Sequence, residues 1–537
     1  MGLTLIGGPD TSGIPNRGRL KLENAANSFV GTITIASGRL QLDAAALGDA
    51  SNSIVIFGGA NGGGQLFDNN VAIAATHQIL ISGLGFAEGT TSGSYGAIRA
   101  RNTISSPILL TGDARIGTSN SGTLAGPISG DYELSLAADS GQALTLSSTT
   151  NNWSGGTRIE RGKIVMGADN ALPIATVVTF GSTVAPGGPW SPRGSATPTL
   201  ELNGHNEQIG GIAIQTPTDT GYSGTPTITN TASAAATLTV ANNSDMNFAG
   251  TITNATNPLS LAKLGAGKLT LSGSNSYSGS TTIDGGALAL AATGALPVGA
   301  AVVNNASLLV NAATTAGGIT GTGITSIAAP ATLTATTFSQ AGLTMELAGA
   351  GASANSKLHV TGSLSLGGSL TVDLTGSFTP SLGDTFDLLD WGTRSGVFSS
   401  VQLPALVAPL AWNTNQLYTA GALSVIDGNF LPGDLDRDGT VTTADISGMM
   451  AALSDVDAYQ ATHGPGGSAL TPQQLLDVGD LDSDGHVTNA DLQVLIDNLA
   501  SSAVNGGGSV TAVPEPRSII LTVLAILTIS CCRVRFA

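Results

Sequence analysis

Two stretches near the C-terminal end carry the residue types and spacing of a hard-cation site. In the first, Asp434, Asp436, Asp438, Gly439, Thr440, Thr442 and Asp445 stand at loop positions 1, 3, 5, 6, 7, 9 and 12. In the second, the same positions hold Asp480, Asp482, Asp484, Gly485, His486, Thr488 and Asp491. Carboxylates at positions 1, 3, 5 and 12 converge on one cation, and glycine at position 6 allows a sharp turn. Position 7 offers its backbone carbonyl, and position 9 acts through water. Oxygen donors alone at this density select calcium over zinc, so a Ca2+ ion is expected in each loop. Carboxylates crowded without a cation repel one another, which couples folding to metal.

Positioning these loops falls to the segments around them. Each landmark recurs at an offset of 46 (480 − 434 and 491 − 445), and so does an apolar stripe after each loop. Ile446, Met449, Met450 and Leu453 match Leu492, Leu495, Ile496 and Leu499, spaced i, i+3, i+4, i+7 as on one face of a helix. Two such faces can pack together. Pro432 and Gly433 precede the first loop, so each unit reads as a loop plus a following helix. Further helix starts are signalled at Ser454 and at Thr471 with Pro472. With Asp in place of Glu at position 12, residues 431–500 resemble the type I dockerin family. The resemblance implies two calcium sites and a cohesin-like docking partner. Dockerins that bind cohesin hold Ser-Thr where this chain has Thr443 and Ala444, and Asn489 and Ala490, a departure that bears on that partner.

The first two thirds of the chain repeat a different unit. Asn27, Phe29, Gly31, Gly38, Leu40 and Leu42 recur as Asn151, Trp153, Gly155, Gly162, Ile164 and Met166, then as Asn275, Tyr277, Gly279, Gly286, Leu288 and Leu290. The offset is constant, since 151 − 27 and 275 − 151 both equal 124. Period-two alternation punctuated by glycine predicts short strands and tight turns. A repeat that cannot bury its own apolar face alone predicts a solenoid; at roughly 25 residues per rung the offset holds about five rungs. From Leu261 to Gly273 the chain resembles the autotransporter-associated β-strand repeat family, with Lys263, Gly265, Gly267, Leu269 and Leu271 in register. That resemblance implies a right-handed parallel β-helix on an exported surface protein and no chemistry of its own. Phe29, Trp153, Phe248 and Tyr277 are expected to close a corner of the core rather than to form a platform for sugars. His77, His205 and His359 stand alone, with no partner at metal-ligand spacing.

The expected fold is mainly β: a solenoid over residues 1–355, an antiparallel cap at 356–430, the small helical calcium module at 431–500 and a flexible linker at 501–512. The alternation from Lys357 on, with longer strands to Val425, prompts the cap, since an open strand edge needs cover. This segment also resembles the one that follows such repeats in planctomycete-type exported proteins. Residues 513–537 bring Val513, Pro514, Glu515 and Pro516, an apolar run from Ser518 to Cys532, then Arg533 and Arg535. The run is short of the roughly 20 residues that span a bilayer. The arrangement resembles the PEP-CTERM sorting signal. It implies transient membrane contact through a C-terminal transmembrane helix, cleavage by an exosortase-type protease, and delivery to the envelope, the outer surface or the extracellular matrix. A plain tail anchor is the rival reading.

Composition narrows the function. Only 10% of the 537 residues are charged and the formal net charge is −17, which argues against nucleic acid as a partner. Cys531 and Cys532 are the only cysteines, so the body has no disulfides, and lipidation of the pair is a lesser reading. Met1 to Ile6 lack the charged and apolar regions of a secretory signal, which predicts that the N-terminus of the exported protein lies upstream. Outside the calcium loops the charged residues look few and scattered. The expected function is therefore non-catalytic, adhesive or structural. The alternative is a dockerin-bearing carbohydrate-active enzyme, or a protein that binds extracellular polysaccharide without cleaving it.

Overall fold

Alternation of aliphatic and small polar residues gives strands three to five residues long that stack on their neighbours in the next turn of the chain. Lys268–Leu271, Ala287–Leu290 and Ser307–Val310 lie parallel and in register. Leu269 therefore stacks on Leu288 and Leu308, and Leu271 on Leu290 and Val310, all of them buried. Fully burying such a side chain stabilises by about 1.5–3 kcal/mol, and a column of them is the core. The computed structural model describes residues 2–7, 18–59, 62–89, 92–216, 219–464 and 467–505. Its larger sheets have 15, 7, 10 and 8 strands, paired almost throughout in parallel, as in a solenoid. None of its helices is long and apolar enough to cross a membrane among the described residues. The expected sorting motif Val513 to Pro516 and the apolar run after it lie outside them.

Both 124-residue intervals contain five steps of the stack. From Ile33 the pairing passes to Ile54, Ile79, the strand Ile108–Thr118, Leu134 and Thr157. From Thr157 it passes to Val178, the turn holding Glu207 and Ile212, Leu238, Leu261 and Thr281. The repeated residues hold successive rungs together. Asn151 accepts from the Ile128 amide at 2.7 Å in the rung before and donates to the Ala171 carbonyl at 2.7 Å in the rung after. Asn275 does the same with Ile252 at 2.7 Å and Ala295 at 2.6 Å. Lys263 occupies a buried position between Val240 and Ile283, and its ammonium turns back to the carbonyls of Leu264, Gly265 and Gly285. Gly265 has φ +73°, and a Cβ there would stand 2.4 Å from the Asn242 carbonyl oxygen, so only glycine fits.

The repeated aromatic is core, as expected. Trp153, Phe248 and Tyr277 are buried and Phe29 half-buried, which removes the sugar platform. Each ring is matched to the residue four positions on. Trp153 donates to Thr157 at 3.1 Å and Tyr277 bonds Thr281 at 2.6 Å, whereas the phenyl rings Phe29 and Phe248 precede Ile33 and Ile252. Tyr277→Phe is expected to cost about 1 kcal/mol by leaving the Thr281 hydroxyl alone in the core. Adding Thr281→Val restores the apolar pairing and recovers most of that loss in denaturant melts.

Three expectations change. The antiparallel cap does not begin at 356: Lys357–Ser365 and Leu389–Ser395, like Ser369–Leu374 and Ser400–Gln402, continue the parallel stack. In this segment Thr385–Asp387 pairs antiparallel with Ala422–Asp427. Period-two alternation sets which face is buried but carries no strand direction. The chain divides into two compact units, one of residues up to Leu406 with Thr414–Val425, the other of Val407–Asn413 and the residues from Ile426 on. Finally, helix replaces the first part of the expected linker. In the second unit the helices are α1 (Asp445–Ser454), α2 (Val456–Thr462), α3 (Pro472–Gly479) and α4 (Asn489–Asn505). Nothing in the run of small residues after Leu499 breaks α4 before Asn505.

Candidate metal centre

Each acidic loop is closed by its own carboxylates. Asp434 accepts from the amides of Asp438 at 3.1 Å and Gly439 at 3.0 Å, and Asp445 from those of Asp436 at 3.0 Å and Thr442 at 2.7 Å. The second loop repeats this. Asp480 accepts from Asp484 at 3.0 Å and Gly485 at 2.9 Å, and Asp491 from Leu481 at 2.6 Å, Asp482 at 3.0 Å and Thr488 at 2.7 Å. The turn requires a left-handed backbone at position 6, supplied by Gly439 at φ +88° and Gly485 at φ +87°. Ligand atoms of Asp434, Asp436 and Asp445 lie within 4.8 Å of one another, and so do those of Asp480, Asp482 and Asp491.

The crowding has an electrostatic consequence. Asp436 is raised above its ordinary pKa, by desolvation first and then by the charges of Asp445, Asp438 and Asp434. Asp482 is raised in the same way, by desolvation and then by Asp491, Asp484 and Asp480. An oxygen-seeking cation relieves this repulsion, and the donor set of carboxylates and backbone carbonyls fits one.

Position 5 departs from the expectation. Asp438 accepts from the Thr440 amide at 2.8 Å and hydroxyl at 2.7 Å, and Asp484 from the His486 amide at 2.8 Å, so neither joins the three-carboxylate groups. An aspartate two residues before a free amide satisfies itself locally in this way. The position-9 hydroxyls are engaged just ahead of the helices: Thr442 accepts from the Ala444 amide and Thr488 from the Ala490 amide, both at 3.1 Å.

Packing around the loops also differs in part. Helix α3 leads directly into Asp480, so the second unit is helix, loop and helix while the first has no entering helix. Its start is the capping box signalled at Thr471, which accepts from the Gln474 amide at 3.2 Å while Gln474 accepts from the Thr471 amide at 2.8 Å. Helix α2 is capped by Asp455, one residue after Ser454. Met449 and Leu495 are fully buried in one cluster with Leu435, Tyr459, Val478 and Leu481. Met450 is instead exposed and Ile496 stands outside that cluster, because the i+4 member of each stripe turns off the shared face. Tyr459 pins the first loop by donating to the Leu435 carbonyl at 2.6 Å.

In the body, charges that look scattered along the sequence meet in space. On the sheet face opposite the aliphatic core, Arg39 pairs with Glu88, which also meets Arg99 at 3.4 Å. Arg115 pairs with Glu160, and Arg161 with Asp219 at 2.5 Å, and all four side chains are at most 2% exposed. Ser182 donates to Glu160 at 2.8 Å and Arg115 to the Trp190 carbonyl at 2.7 Å, so the loop after Phe180 covers the layer. The partners stand 45 and 58 residues apart, which in this stack is about two rungs. The signal in the sequence is Thr157–Arg161, a short strand that carries Arg158, Glu160 and Arg161, and all of its residues are buried.

A further buried carboxyl, Glu207, accepts from the amides of Ala171 at 3.1 Å and Leu172 at 2.9 Å. Burial outweighs those donors and pushes its pKa from 4.5 up to about 8. Its contribution to stability is therefore full below about pH 4.5 and is lost as pH rises through about 8. The expected outcome is a loss on the order of 1–3 kcal/mol between pH 5 and 9, measured by melts across pH, that Glu207→Gln flattens. The histidines bond locally, His77 to the Asn52 carbonyl, His205 to Asp169 and His359 to Asp390, each at 3.2 Å, and none joins a metal-ligand cluster among the described residues.

The fold defines a parallel β solenoid with internal repeats. Residues 18–42, 141–166 and 261–290 match the family described as the passenger-associated-transport-repeat. The matched segments end at Leu42, Met166 and Leu290, the same 124-residue register (166 − 42 and 290 − 166). The chain thus carries three repeats of this kind, and passenger repeats imply a secreted, cell-surface-exposed product. No curated protein matches the chain.

Proposed function

We propose that this is a non-catalytic surface protein with three working parts. The solenoid is the adhesive or structural body. Residues 431–505 form a module of type I dockerin kind that holds two calcium ions. The tail from Val513 is a sorting signal of PEP-CTERM kind, cut by an exosortase-type protease as the protein reaches the envelope or matrix. The observation that carries the calcium assignment is the pair of three-carboxylate groups, duplicated at an offset of 46 with the same amide contacts in each (480 − 434).

A calcium ion supplies the charge that lets each loop close and its helix start in place. The chain's own residues do the rest. Asp445 and Asp491, both fully buried, tie the end of each loop to its beginning through amides, and Leu435 and Leu481 bury the loops against α1 to α4. The module then offers a calcium-dependent face to a cohesin-like partner. The buried carboxylates Glu160 and Asp219 are each held by an arginine, which supports a structural use over a catalytic one. Protease treatment of intact cells that make the protein tests the reading. The body is expected to be digested from outside, and purified protein to release no sugar from polysaccharides. Digestion only after lysis, or release of reducing ends, would contradict it.

A further inference from the structure

We infer that the body carries a binding groove for one residue of a neutral polysaccharide. The groove, of about 300 Å³, lies over the stacked positions Ala143, Lys163 and Thr199, which are direct partners in successive parallel strands. Lys163 rises between two shorter side chains, and Asp139, Gln142 and Thr197 complete the lining.

The free polar atoms determine the ligand class. Asp139 uses one carboxylate oxygen to accept from the Tyr95 hydroxyl, whose pKa desolvation and that same carboxylate push up to about 12. The phenol thus stays a donor and fixes the carboxylate, while the second carboxylate oxygen has no protein donor among the described residues. Gln142 accepts from Ser121 at 3.3 Å through its oxygen and keeps its amide hydrogens free among the described residues. Lys163 is 45% exposed and stands 3.7 Å from Glu201, too far to be fully engaged. An acceptor, an amide donor and an ammonium donor thus share one lining, drawn from neighbouring rungs.

That set suits a ring of hydroxyls, each able to give and take a hydrogen bond. Asp139 and Lys163, the charged residues of the lining, are of opposite sign, so neither a uronate chain nor an amino-sugar chain meets a lining of one sign. The volume is at the lower bound of small-ligand sites, enough for a single sugar. Because the groove follows the stacking direction, a chain can continue past it along the ladder.

The inference deepens the adhesion reading and rests on the body being exposed at the surface. It fails separately, since surface exposure is read by protease and this site by polysaccharide retention. The test is affinity electrophoresis of the full chain through gels holding dextran, galactomannan or xylan as neutral polymers, alginate as a uronate polymer and chitosan as an amino-sugar polymer. At least one neutral polymer is expected to retard the protein. Asp139→Asn, which keeps a partner for Tyr95, and Gln142→Ala are each expected to weaken retention about tenfold. Ala143→Trp, which fills the groove without touching those groups, abolishes it, with the melting temperature of each variant as the control for folding. No retention by a neutral polymer, retention by alginate or chitosan alone, or retention unchanged in Ala143→Trp overturns the proposal.

Discussion

Arg115→Leu is expected to destabilise the body by about 3–5 kcal/mol, among the largest effects of any single change in it. The guanidinium is fully buried, pairs with Glu160 through two nitrogens and donates to the Trp190 carbonyl. Leucine leaves Glu160 as an uncompensated charge, with the Ser182 hydroxyl as its remaining side-chain donor. Removing both charges together is much cheaper, because the attraction between buried ions does little more than offset their desolvation. The double variant Arg115→Leu with Glu160→Leu should therefore lose less than Arg115→Leu alone. Denaturant melts of the two single variants and the double give the coupling directly, and single-variant losses that simply add would contradict a buried pair.

The second large effect is expected at Asp491. This carboxylate is fully buried and accepts from three backbone amides. Asp491→Ala leaves those donors unsatisfied, at about 1–3 kcal/mol each where water cannot reach them, and removes a proposed calcium ligand. We expect loss of one of two bound ions and a fall in helical signal from the second unit. Asp445→Ala is expected to do less harm, since Asp445 serves two amides. Circular dichroism melts with calcium and with a chelator separate the two contributions. In the chelator only the hydrogen-bond loss remains, so the difference between variant and wild type should shrink. An equal difference in both conditions would mean that Asp491 holds the loop without metal.

Much of this arrangement was legible because it is local. The offset of 46, the capping box at Thr471 and the buried aromatics follow from spacing within a few dozen residues, and the offset of 124, with about five rungs in it, from a short motif that recurs in constant register. What escaped depends on the third dimension. Strand direction from Lys357 to Gln402 is invisible to alternation, since parallel and antiparallel strands bury the same face. The arginine and carboxylate layer escaped because Arg161 meets Asp219 across two rungs, a distance set by the variable length of each turn. In the loops, ligand spacing was readable, whereas the turn that commits Asp438 to Thr440 depends on a local choice between an amide and a cation. The stretch Val513 to Pro516, read in the sequence as a sorting motif, lies outside the described residues.

The most direct test of the account is the number of calcium ions bound per chain, measured by equilibrium dialysis with metal analysis on the wild type, Asp434→Ala and Asp480→Ala. Asp434 and Asp480 open equivalent loops, and each contributes to one carboxylate group. The account predicts two ions for the wild type, one for each single variant and none for the double. No calcium on the wild type, or a stoichiometry that the variants leave unchanged, would contradict it.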